Sequence, residues 1–68
     1  MQTYTIELPS YWASYLINLD KSGLDSLDIQ ECDNEVNGLG YCATVGECEF
    51  IGCYNGLLTT LATYTFIR

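Results

Sequence analysis

Histidine is missing from this 68-residue chain, and Lys21 and Arg68 are its only cations. Without histidine there is no Ser/His/Asp set, and a lone cysteine nucleophile would have no imidazole base beside it. No long apolar run is present. The apolar stretches are broken by Thr, Ser, Asn or Gly and fall far short of a membrane span. A glycine-rich phosphate loop is also lacking, because the six glycines are scattered. The residues after Met1, Gln-Thr-Tyr-Thr-Ile-Glu-Leu, form neither a basic nor an apolar leader, so the expectation is a cytoplasmic chain, in the cytoplasm of a bacterial host.

What the chain does have is negative charge. Nine carboxylates give a net charge of −7. The resulting field repels nucleic acid and anionic lipid and favours a basic partner. A charge of this size also keeps a small domain soluble, but solubility alone usually mixes both signs. Apolar residues make up 49% of the chain, enough for a globular fold and against disorder. A chain this short forms one domain, residues 1–68, and hides only about 60% of its unfolded surface, so its core is thin.

Four cysteines, Cys32, Cys42, Cys48 and Cys53, would suggest disulfides in a secreted protein. In a cytosolic chain they are expected as reduced thiols used as small apolar groups. They form no Cys-x-x-Cys pair, so zinc is not expected.

Residues 2–8 alternate, with Tyr4, Ile6 and Leu8 on one face, which predicts a half-buried strand ended by Pro9. Trp12, Tyr15, Leu16 and Leu19 form one helical stripe, predicting a helix over 10–19 closed by Asp20–Gly23. A second helix is predicted from about Asp25 to Val36, capped by Asp25 or Ser26, with Ile29, Cys32 and Val36 sharing a side. Asn37, Gly38 and Gly40 then make a turn easy. Tyr41–Val45 reads as a strand, Gly46 as a turn, and Glu47–Ile51 as the neighbouring strand. Tyr54-Asn55-Gly56 is a turn signal. In the last run Ala62, Tyr64 and Phe66 share a face and are matched to Tyr4, Ile6 and Leu8 across a ladder. The expected fold is α+β: a small antiparallel sheet of three or four strands with two short helices packed on one face.

The candidate site is the set of acids. Asp20, Asp25, Asp28, Glu31, Asp33 and Glu35 crowd one segment that holds only Lys21 as a cation, and Glu47 and Glu49 share one face of the expected strand. On a helix, Asp28, Glu31 and Glu35 line up at i, i+3 and i+7, while Asp33 points elsewhere. Like charges at such spacings repel by a few tenths of a kcal/mol per pair. Two interpretations fit. One is a solvated helix face; the other is a surface imitating a row of phosphates, able to occupy an Arg/Lys groove built for a nucleic-acid backbone.

Calcium fits poorly. In an EF-hand starting at Asp20, Leu24 takes a position that needs oxygen and Asp25 takes the glycine position. Paired-carboxylate catalysis needs a cleft that drives two pKa values apart, which exposed helix acids do not offer. A non-enzymatic chain without cofactor or metal is therefore expected. Tyr11, Tyr41 and Tyr54 lie near element ends and are expected to be partly exposed. Tyrosine beside carboxylates is common both on protein-binding faces and at the edges of cores. Trp12 is expected as the largest plug of the core.

The stretch Ser10-Tyr11-Trp12-Ala13-Ser14-Tyr15-Leu16-Ile17-Asn18, with Asp20-x-Ser22-Gly23-Leu24, Asn37-Gly38-Leu39-Gly40 and Thr63-Tyr64-Thr65-Phe66, resembles a family of small acidic proteins encoded by bacteriophages, plasmids and other mobile elements. The likeness covers most of the chain and is weakest from Cys42 to Tyr54. The family has no settled enzymatic activity, so the resemblance implies a setting more than a mechanism. At the level of class, the chain is similar to small acidic anti-CRISPR proteins that sit on the DNA-binding surface of a type I surveillance complex. The expected partner is thus the basic surface of a host nucleic-acid-binding protein or CRISPR effector complex, with no direct contact to nucleic acid or membrane and a monomeric state. The alternative is a structural or adaptor protein of a mobile element, binding through Tyr and Trp contacts.

Overall fold

The computed structural model describes residues 1–68. Strand β1 (Thr3–Pro9) leads into a 3-10 turn (Ser10–Trp12) and the short helix α1 (Ala13–Asn18). Helix α2 (Ser26–Val36) follows, then strands β2 (Tyr41–Val45), β3 (Phe50–Tyr54) and β4 (Leu57–Ile67). All pairings are antiparallel, and β4 is the common partner of the other three strands. This is the α+β domain that the hydrophobic pattern predicts.

Alternation sets the register between the first and last strands. Tyr4 faces Phe66, Ile6 faces Tyr64 and Leu8 faces Ala62, as matching the two apolar sets requires. Two further backbone bonds, exchanged between Gln2 and Arg68, close this ladder. On the other edge of β4, β2 covers residues 64–67. The Gly46 N–H still reaches the Thr63 carbonyl at 2.7 Å, so the chain stays beside β4 until β3 takes over. Asn55 and Gly56, both at positive φ, close the β3–β4 hairpin in two residues, matching the Asn-Gly turn signal.

Both helices lie against the apolar face of the sheet. Trp12, Cys32, Leu8, Ala62, Tyr64 and Phe66 form the fully buried core, with Tyr15, Leu16, Val36 and Tyr54 around it. Burying each large side chain here contributes roughly 1.5–3 kcal/mol. The Tyr64 hydroxyl donates to the Pro9 carbonyl at 2.6 Å, satisfying two polar groups inside the core. Thr3, Thr5 and Glu7 of the opposite face are exposed.

Two expectations are corrected. The helix predicted over 10–19 is split into the 3-10 turn and α1, and the left-handed residue that closes it is Leu19 rather than Gly23. Leu19 adopts the left-handed conformation (φ 56°), which ends the helix and turns its side chain out; it is 76% exposed instead of joining the buried stripe. Gly23, at φ 80°, serves the following turn, in which the Leu24 N–H bonds the Lys21 carbonyl. The second correction concerns residues 47–51. The strand here is Phe50–Tyr54, paired to β4 and not to β2, and Gly46–Glu49 form an irregular link. The chain uses more residues than β4 between the Val45–Tyr64 and Phe50–Leu61 pairs, so the surplus bulges away from the ladder.

Gly40 is required by contact. At φ 91° it lies so close to β4 that an added Cβ would stand 2.1 Å from the Ile67 carbonyl oxygen.

Candidate partner-binding surface

Helix α2 carries four of the eight candidate acids and presents them on two flanks. Its buried stripe is centred on Cys32, with Ile29 and Val36 partly covered. At 100° per residue Asp28, Glu31 and Glu35 lie within about 60° of one another on one side of that stripe, and Asp33 lies on the other. The single-sided row expected for Asp28, Glu31 and Glu35 is therefore present.

Two tyrosines clamp the helix. The Tyr11 hydroxyl donates to Asp28 Oδ1 at 2.9 Å and the Tyr15 hydroxyl donates to Asp33 Oδ1 at 2.8 Å. One tyrosine grips each flank, so Asp28 and Asp33 orient α2 as well as carrying charge. Desolvation and the Asp28 carboxylate push the Tyr11 phenol up; the bond to Asp33 raises Tyr15.

Asp25 and Asp20 have local roles. Asp25 is the N-cap of α2 and accepts the Asp28 N–H at 2.8 Å. Asp20 accepts the Ser22 N–H at 3.0 Å, and Ser22 holds its carboxyl below the ordinary value. Glu47 and Glu49 are not on a strand face; they are exposed in the Gly46–Glu49 link. The structure thus gathers Asp28, Glu31 and Glu35, and places the other five predicted residues on separate elements or on the far flank.

Two of the three, Asp28 and Glu31, border a cleft of about 420 Å³ whose other walls are the Ser10–Trp12 turn and the β3–β4 hairpin. Asp28 and Glu31 line it together with Tyr11, Trp12, Tyr54 and Leu58. Trp12 packs edge-on against Tyr54 (centroids 5.4 Å apart) and against Tyr11 (6.2 Å). Desolvation, then the charges of Glu35 and Glu31, push the Tyr54 phenol well up. Trp12 and Tyr54 were not among the predicted site residues. Their local signals, a helical stripe and a turn, carry no information about what they meet across the fold.

A second cleft, about 390 Å³, lies between α1, α2 and β2, walled mainly by Tyr15, Leu16, Ile17, Leu19, Val36 and Tyr41.

All four cysteines are free thiols. Burial pushes Cys32 up to about 11 and raises Cys42 as well, so both are neutral at pH 7. No three His, Cys, Asp or Glu side chains converge in a way that would hold a metal ion, and no helix is long and apolar enough to cross a membrane. The chemistry this surface offers is attraction of cations by fixed carboxylates beside aromatic rings. Comparison with family models, curated proteins and solved structures finds no match to this chain.

Proposed function

We propose that this protein is an acidic inhibitor that covers the cationic, DNA-holding surface of a host nucleic-acid-binding machine. The observation that carries this reading is the row Asp28, Glu31 and Glu35 on one flank of α2, in a chain whose only two side-chain cations lie elsewhere. Arg68 spends its guanidinium on the Gly38 carbonyl. An anionic row fixed on a helix, with neighbours about 5–6 Å apart, suits an Arg/Lys groove that would otherwise hold phosphates. The leading target is a type I CRISPR surveillance complex, in keeping with the mobile-element setting that the sequence resemblance suggests. Inhibition would be steric and electrostatic, with no bond made or broken.

An adaptor role is the second reading, and exposed apolar residues favour it. Ile51, Leu57 and Leu58 on the β3–β4 hairpin are 70%, 72% and 80% exposed. An adaptor binding through these residues would be nearly indifferent to salt, whereas charge mimicry weakens as salt screens the acids. Duplex binding by purified type I complexes, measured with and without the protein at low and high salt, tests both. Charge mimicry predicts lost DNA binding at low salt together with capture of the complex that weakens as salt rises. Unchanged DNA binding beside salt-insensitive capture of the complex favours the adaptor, and unchanged DNA binding without capture removes this target.

A further inference from the structure

Resting on the basic-partner reading above, we propose that the outer edge of β3 is a docking edge for an extended segment of the protein partner, which adds there as an antiparallel strand, apolar beside Ile51 and Cys53 and basic beside Glu47 and Glu49.

The hydrogen bonds of β4 decide which groups on this edge are free. Gln2 and Arg68 exchange both of their backbone bonds, so the even-numbered residues of β4 turn their N–H and C=O groups towards β1. The odd-numbered ones turn the other way, as the Gly46 N–H on the Thr63 carbonyl also requires. Leu57, Thr59 and Leu61 therefore bond Tyr54, Gly52 and Phe50, which is the same pattern that a two-residue hairpin loop imposes. Ile51 and Cys53 are left with both backbone groups pointing away from β4. No further strand pairs with β3, and no backbone bond outside the ladder reaches these two residues.

The side chains separate this edge from the other open one. On β1 the outward groups belong to Thr3, Thr5 and Glu7, exposed polar residues with a charge among them, a common protection of a sheet edge. β3 has no such guard. Its outward residues are uncharged, Ile51 is exposed, and the exposed Cys53 stands opposite exposed Leu58 in the ladder. An added strand supplies main-chain partners for the free groups and apolar contacts for Ile51 and Leu58.

Charge selects the occupant. Glu47 and Glu49 are exposed immediately before β3, and no cation occurs between Lys21 and Arg68. A second copy of the chain would bring a net charge of −7 to this edge, so the complementary occupant is a basic segment of another protein. In an antiparallel strand the residues beside Glu49 and Glu47 come after those beside Ile51. The partner segment therefore runs from its apolar residues to its arginine or lysine residues.

The probe is the peptide acetyl-Thr-Val-Thr-Val-Thr-Arg-Arg-amide, titrated into the ¹⁵N-labelled full chain under reducing conditions. In the free chain the Ile51 and Cys53 amides should exchange with solvent rapidly and those of Gly52 and Tyr54 slowly. The peptide should slow exchange at Ile51 and Cys53 and shift their resonances saturably, with a dissociation constant on the order of 1 mM for so short a ligand. Methylating the backbone nitrogens of its two valines should abolish the effect. Replacing both arginines by glutamates, or placing them at the other end of the peptide, should weaken binding by about fivefold, as should Glu47→Lys with Glu49→Lys in the protein. No protection of Ile51 and Cys53, or equal binding by the arginine and glutamate peptides, overturns the proposal. Protection that grows with protein concentration in the absence of peptide overturns it in favour of a second copy. No nucleic-acid-binding complex is present in this titration. Its failure therefore leaves the salt-dependent inhibition test untouched, and failure of that test leaves the docking edge intact.

Discussion

Replacing Tyr64 by Phe removes one oxygen atom from the centre of the core. The hydroxyl donates to the Pro9 carbonyl at 2.6 Å, and both residues are fully buried. The bond spans from β4 to the last residue of β1, where the chain leaves the sheet for the helices. Phe keeps the ring and its packing, so the change isolates the hydrogen bond. Water cannot easily replace the donor, and leaving the Pro9 carbonyl unsatisfied costs about 1–3 kcal/mol. A domain of this length has on the order of 3–10 kcal/mol of stability in total, so the loss is a large fraction. Each kcal/mol lowers the melting temperature of a domain this size by about 4–8 °C. The assay is urea unfolding followed by Trp12 fluorescence, with the midpoint falling and the m-value unchanged. Tyr4→Phe is the control, because its hydroxyl bonds only the exposed Gln2 side chain at 2.7 Å; it should stay within about 0.5 kcal/mol of the parent. If Tyr64→Phe matched Tyr4→Phe, the claim that this bond holds the strand end would be refuted.

Gly40→Ala would drive a Cβ into the Ile67 carbonyl and should cost more than about 3 kcal/mol, whereas Gly38→Ala, with open space around it, should cost only the left-handed strain of about 1–2 kcal/mol; thermal melts of the two variants compare them. Asp25→Ala removes the cap on the Asp28 N–H and should cost about 1 kcal/mol, read as a lower urea midpoint with reduced amide-exchange protection in the first turn of α2. Stability should also fall in alkali. The Cys32 thiol is raised from 9.0 to about 11 in the folded state, and Tyr54 and Tyr64 are raised as well, so the unfolded chain loses these protons first. The contribution is complete below about pH 9 and disappears as pH climbs through 9–11 for the thiol and above 10 for the phenols, at about 1.4 kcal/mol per unit of separation. Urea midpoints across that range measure it, and a flat profile contradicts the assigned burial of these groups.

The pairing of β1 with β4 was legible because both strands alternate with the same period and each has one apolar face, so a one-residue slip would expose every member of the set. Helix α2 was legible from its Asp25 cap and its Cys32 stripe. The Asn55-Gly56 turn was legible from backbone chemistry alone. Residues 46–51 were not. Glu47 to Ile51 alternates well enough for a strand, but the register of β3 is dictated by the hairpin closing at Asn55-Gly56, and the surplus residues were pushed into the preceding link. Leu19 fits the helical stripe by position, yet a single left-handed residue turns it outward. At the site, spacing along α2 was enough to align Asp28, Glu31 and Glu35. That Tyr11 and Tyr15 would bond Asp28 and Asp33 depended on contacts across 17 and 18 residues, which no local pattern encodes.

Asp28 is tied to Tyr11, so Glu31 and Glu35 are the cleaner probes of charge on this flank. The decisive measurement is duplex binding by a type I surveillance complex in the presence of the parent protein and of Glu31→Lys/Glu35→Lys, with the fold of the variant verified by its spectrum. The parent should displace DNA at low salt, and the double reversal should lose that ability. Displacement undiminished by reversing these two charges would contradict the account.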